Sequence, residues 1–281
     1  MALFAVFLNL IGVCVSARSG GRMKAVQTGD VVFVQELTRH GARAPIGDVT
    51  KYIKRDWIKN FGVGELTDTG MRQHYYLGLN TAGKYASLLQ GGLRYDEYYA
   101  RSTGFNRTVM SAQSHLLGIM GNIAFNQDSL IWKNDDPKIL PPVDASDLNF
   151  DPKSIDFATP LPDGLRPFTV HAQNRDIDLF LGADYNICPT NGKQVTKDIS
   201  DNNSDLTQSP KLMGVVNEAL KFYQIDKTYK GNIDFLLCYQ LGDFTIQDYM
   251  NNPDAPLKPG DDLYERLSDC YHEGIANYFK T

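Results

Sequence analysis

The sequence predicts an α/β protein: a three-layer core with a mainly parallel sheet flanked by helices, plus a smaller helical cap. Two observations carry this. The uncharged, β-branched and aromatic run Val31-Val32-Phe33-Val34 stops at a basic turn containing Gly41 and Pro45, as suits a strand buried on both faces of a parallel sheet. Downstream, strand-like and helical patterns alternate, which calls for a parallel sheet with helical crossovers.

Taken in order, Met1 to Ala17 carries no charged residue, is apolar from Ala2 to Val15, and ends Val15-Ser16-Ala17 before Arg18. It reads as a secretory signal cleaved after Ala17, too short for a membrane span. Residues 18–174 are assigned to the core. Lys51 to Phe61 reads as a helix beside the mouth of a site. Glu65 to Gly70 then opens a helix, capped by Thr67 or Thr69, that continues through Met71, Tyr75 and Leu79 toward Leu88 and Leu89. Asp96 to Ala100 is expected to be a second buried strand, delivering Arg101 to the same sheet edge as Arg39. A helix follows with Val109, Ala112, Leu116 and Ile119 on one face. Pro137, Pro141, Pro142, Pro152, Pro160, Pro162 and Pro167 mark a loop-rich stretch before a strand at Phe168 to Ala172. Residues 175–281 show short helical patterns between polar and Pro/Gly clusters and are assigned to the cap.

The 281 residues are 42% apolar and 22% charged, and the net charge of -5 leaves no basic footprint for nucleic acid. Cleavage would remove Cys14 and leave Cys188, Cys238 and Cys270, an odd count that permits one internal disulfide at most. The cysteines lack metal-ligand spacing, and no cofactor is expected. Of the glycosylation triplets Asn106-Arg107-Thr108 and Asn202-Asn203-Ser204, the second, in a polar run, is the expected surface site.

Chemistry concentrates at the end of the first strand. Arg39, His40 and Arg43 fall on the loop at its carboxyl end, where open α/β sheets place their ligands. Two guanidiniums offer planar forks of donors that fit a tetrahedral oxyanion. The histidine between them supplies a nitrogen nucleophile. Crowding by two cations disfavours the imidazolium, keeping the nucleophilic form at mildly acid pH. Arg107, His74, His115 and His171 are read as structural. Lys51, Lys54, Arg55 and Lys59 are read as a solvated charged face rather than an anion funnel.

Arg39-His40-Gly41-Ala42-Arg43-Ala44-Pro45 resembles the RHGxRxP signature of the histidine acid phosphatases, a branch of the histidine phosphatase superfamily. Gly64-Glu65-Leu66-Thr67 with Gly70 and Gln73-His74-Tyr75, then Arg101-Ser102-Thr103 with Arg107 to Ala112, resemble the next two blocks in the right order, and weaker similarity runs to about Cys238. The resemblance implies hydrolysis of phosphate monoesters through a phosphohistidine at His40, with Arg39, Arg43 and Arg101 holding the phosphate oxygens and no metal. The leader, with no later stretch of transmembrane length, points to a secreted or acidic-vesicle location, and a homodimer is left open. The family's late His-Asp pair, whose Asp protonates the leaving group, has no counterpart here: His272-Glu273 lies in a helical pattern from Leu263 to Phe279. The missing strand is expected beyond Thr281. An inactive or phosphoanion-binding relative without its general acid is the alternative.

Overall fold

The computed structural model describes residues 10–12, 31–89, 96–121, 133–141, 148–157, 159, 161, 167–174, 177, 178, 180, 181 and 210–278. It contains strands β1 (Leu10–Gly12), β2 (Gln35–Leu37), β3 (Ala100–Thr103) and β4 (Val170–Gln173). The helices are α1 (Asp56–Lys59), α2 (Asp68–Lys84), α3 (Asn106–Gly121), α4 (Pro210–Phe222), α5 (Phe235–Asn251) and α6 (Asp262–Tyr278). β3 and β4 pair in parallel, with Arg101 opposite His171, and β1 and β2 pair antiparallel. The chain is thus a mixed α/β protein, as its alternating pattern predicts.

The first strand departs from expectation. The extended pairing falls on Gln35–Leu37 rather than on the apolar run, and Val32 and Phe33 are 87% and 64% exposed. Among the described residues β2 has one strand neighbour, β1, and its own residues are exposed or half-buried. The second strand likewise begins at Ala100, at the end of the predicted run, and only Ser102 within it is buried. The predicted strand at Phe168 to Ala172 is realised as β4, shifted by two residues at its start.

The helices follow local chemistry closely. Thr67 caps α2, its hydroxyl accepting from the Gly70 N–H at 3.2 Å, which supplies a partner for one of the free amides of the first turn. α2 and α3 cross at Gly78 and Gly118. A Cβ on either glycine would lie 2.1 Å from a backbone carbonyl of the other helix, so only hydrogen fits there. The predicted Leu263 to Phe279 helix is α6.

The largest apolar cluster joins Ala44, Val49, Ile53 and Ile58 to residues of α4, α5 and α6, including Val216, Leu237, Leu241, Phe244 and Leu267. The basic loop is therefore rooted in the same core as the C-terminal helices. Cys238 and Cys270 form a disulfide between α5 and α6 across 32 residues, a closure on the order of 3–4 kcal/mol in the chain-entropy account. Cys188 and the Asn202 triplet lie outside the described residues.

Candidate active site

The basic loop is fixed from several directions. Gly41 N–H donates to Ser111 Oγ of α3 at 3.2 Å, and Ala42 N–H to Gln73 Oε1 of α2 at 2.9 Å. Arg43 N–H reaches Gln247 Oε1 of α5, and Ala44 N–H the Glu65 carbonyl. Ala42 O in turn accepts from both the amide and the hydroxyl of Thr67. Pro45 has no amide to satisfy. A Cβ on Gly41 would come within 2.4 Å of Gly70 O, so glycine alone lets the loop lie this close to the start of α2. Such a loop arrives at its ligand already ordered, and little entropy remains to be lost on binding.

His40 sits half-buried on this loop. Its Nδ1 lies 2.8 Å from Gly41 O. A carbonyl can only accept, so Nδ1 carries the hydrogen and Nε2 keeps its lone pair. Burial, then Arg39, Arg43 and Arg107, drives the His40 pKa down from 6.5 to about 3. Burial is the larger cause, where crowding by cations alone was expected from sequence. The imidazole is neutral and nucleophilic throughout the mildly acid range.

Three arginines therefore act electrostatically on His40, and Arg107 is among them. Arg107 opens the first turn of α3, where its guanidinium lies over the Phe105 ring at 4.3 Å and its Nη1 reaches Gly64 O at 3.5 Å. Arg107 and Ser111 are four apart and share a helix face, and Ser111 holds the Gly41 amide. Arg101 has its own protein partners. Its Nη2 binds Asp178 Oδ1 at 2.6 Å and Gln173 Oε1 at 2.9 Å. The Asp178 carboxylate is 1% exposed. Hydrogen bonds from the Leu181 and Phe180 amides, together with Arg101, hold it below the usual range.

Arg39 and Arg43 both have protein partners. Arg39 Nη2 donates to Tyr271 Oη at 2.9 Å, and Tyr271 stacks on Tyr239 with centroids 5.2 Å apart. Arg43 is buried and forms a two-bond ion pair with Asp243. His272 and Glu273 are exposed on α6, as their helical spacing predicts. Among the described residues no group of three or more His, Cys, Asp or Glu side chains comes together as a metal site, and no helix is long and apolar enough to cross a membrane.

Behind the loop lies a polar group that sequence reasoning missed. His74 Nε2 is 2.9 Å from Arg39 O, and His115 Nε2 is 3.0 Å from Glu36 Oε2. Thr81 also donates to Glu36. Burial would raise the Glu36 carboxyl, but the hydrogen bonds and charge of His115, with Thr81, bring it below its ordinary value. Lys51 and Lys59 pair with Asp48 and Asp56 on the surface, and Arg55 with buried Asp248. The solvated face expected for the first two is what the fold uses.

Part of the chain is similar to known proteins. Residues 30–159 match the histidine phosphatase superfamily (branch 2). Over 117 residues the chain is 37% identical to lysosomal acid phosphatase of Rattus norvegicus, a stretch covering 41% of this chain and 26% of that protein. It is 40% identical over 89 residues to lysosomal acid phosphatase of Homo sapiens, covering 31% of this chain and 21% of that one. Testicular acid phosphatase of Homo sapiens is 34% identical over 113 residues, covering 39% and 26%. The matches thus span about a quarter of the length of these relatives. A solved phytase from Citrobacter braakii superposes with a TM-score of 0.47 at 13% identity, over 85% of this chain and 59% of the phytase. The similarity to the histidine phosphatase superfamily, branch 2, is carried by residues 30–159, a little under half of the chain.

Proposed function

We propose that this protein is an acid phosphatase that hydrolyses phosphate monoesters through a phosphohistidine at His40. The observation that carries the reading is the His40 tautomer: Nδ1 is held by Gly41 O, so Nε2 faces the reaction unprotonated. Nε2 attacks phosphorus, the N–P bond forms as the ester P–O bond breaks, and the leaving oxygen departs as the alkoxide or aryloxide, which takes its proton from solvent water. A water molecule then attacks phosphorus, the N–P bond breaks, its proton passes to solvent, and inorganic phosphate and free His40 are released.

Arg39 and Arg43 flank the transferring group, and their fixed charges stabilise the flattened phosphoryl group in the transition state. Arg101, in β3, is the third charge of the phosphate site in this reading, and Arg107 adds a further positive charge acting on His40. No acidic side chain of the described residues is free to protonate the leaving oxygen at this loop. Asp243 accepts with both oxygens, and Asp178 is held ionised. Esters with good leaving groups are accordingly the substrates for assay.

Acid phosphatase relatives named as lysosomal, together with the apolar leader, support delivery to the secretory route, with cleavage after Ala17. Residues 18–174 would form the N-terminal part of the phosphatase core and residues 175–281 the cap region. His40→Ala should abolish hydrolysis of an aryl phosphate by folded protein; retained turnover would refute the reading.

A further inference from the structure

We propose that Asp243 of α5 is a positioning residue for phosphoryl transfer: it grips one face of the Arg43 guanidinium and so leaves a defined edge for the phosphate. The inference rests on the phosphatase reading above. Arg43 Nη1 donates to Asp243 Oδ2 at 3.0 Å and Arg43 Nη2 to Oδ1 at 2.9 Å. Nη1 gives its second hydrogen to Ala44 O at 2.9 Å. Asp243 Oδ2 is itself held by the Ile46 N–H at 3.0 Å, and the Arg43 amide by Gln247 of the same helix.

A guanidinium has five N–H donors. These bonds use both hydrogens of Nη1 and one of Nη2. What remains is Nε–H and the second Nη2–H, which lie along one edge. Nε is buried with no acceptor, although Arg43 as a whole is only 3% exposed. A buried donor without an acceptor is costly, and an oxyanion at that edge would satisfy it. The Nε/Nη2 edge is a fork that matches two oxygens of a tetrahedral anion. Asp243 thus decides which fork the phosphate meets, from a position about 200 residues away in sequence. In this proposal it acts on the phosphate through Arg43, and its bond to the Ile46 N–H fixes the loop beside it.

The test is a double-mutant cycle on p-nitrophenyl phosphate hydrolysis. Asparagine has one acceptor oxygen and would set its amide hydrogens against the guanidinium, so the two-bond grip is lost. Folded Asp243→Asn should lose about 10- to 100-fold in kcat/KM, and Asp243→Glu should recover part of it. In an Arg43→Lys background, where no fork exists, Asp243→Asn should have little further effect. An unchanged kcat/KM in folded Asp243→Asn, or the same loss in both backgrounds, overturns the inference and leaves the phosphatase reading standing. If the wild-type chain binds orthovanadate without turning over substrate, vanadate affinity replaces kcat/KM in the same cycle. If it does neither, the phosphatase reading falls and this inference with it. Should Asp243→Asn not fold, the Arg43 Nε–H resonance of the wild-type protein, assigned through Arg43→Lys, must shift when vanadate is added. An unmoved resonance at saturating vanadate overturns the inference.

Discussion

His74 Nε2 holds the carbonyl of Arg39 at 2.9 Å, so the residue that precedes His40 is tethered from behind by α2. Ser111 of α3 tethers the residue that follows it, Gly41, at 3.2 Å. His40 is thus suspended between two helices that themselves meet at Gly78 and Gly118.

Replacing His74 by Phe keeps an aromatic ring but leaves the Arg39 carbonyl without its donor. We expect a loss of about 1–3 kcal/mol in urea unfolding, with kcat falling more than KM rises, because the loop's aim is disturbed rather than its charge. Steady-state kinetics on the folded variant separate the two.

The Gly78 contact predicts a different outcome. Gly78→Ala would force α2 and α3 apart, at a cost of about 1–3 kcal/mol or more. Gly83, which has open space around its Cβ position and lies on the same helix, should accept Ala without loss and can gain from the higher helix propensity. Paired thermal melts of the two variants check this.

The pH dependence of stability follows from His40. Its imidazole binds a proton near 6.5 when unfolded but only near 3 in the native state. Between those values the unfolded chain holds more protons, so native stability rises with pH across the window and levels off above about 6.5. As pH falls to about 5, the contribution lost is on the order of 2 kcal/mol. His40→Gln should flatten the slope by about one proton over this range, measured as the change in urea midpoint with pH. In the native protein the His40 ring signals should stay those of neutral imidazole down to about pH 4.

The leaving group provides another test. With no general acid assigned beside His40 among the described residues, turnover by this chain should depend steeply on leaving-group basicity. Across substituted phenyl phosphates, esters of poor leaving groups should fall behind by about 10²–10⁴-fold more than they would with a proton donor present. A flat series would reveal a donor that the described residues do not contain.

Much of this site was legible where the chemistry is local. The Arg39 to Pro45 loop, the Thr67 cap and the helical setting of His272 all rest on neighbours a few residues apart. Burial of Val32 and Phe33 was not legible, because it depends on which strands pair beside β2. Nor were the partners of the charges: Asp243 lies about 200 residues from Arg43, and His115 about 79 from Glu36. Sequence spacing carries no signal for such pairs. Arg107 stands between these cases, since its Ser111 spacing was visible but not its packing against the loop.

The most direct measurement of the central claim is to trap the phosphoenzyme. Protein mixed briefly with an aryl phosphate, quenched without acid and digested, should yield the peptide spanning Arg39 to Pro45 carrying one phosphoryl group on His40, and none in His40→Ala. Steady hydrolysis with no label at His40, or with the label on another residue, would contradict the account.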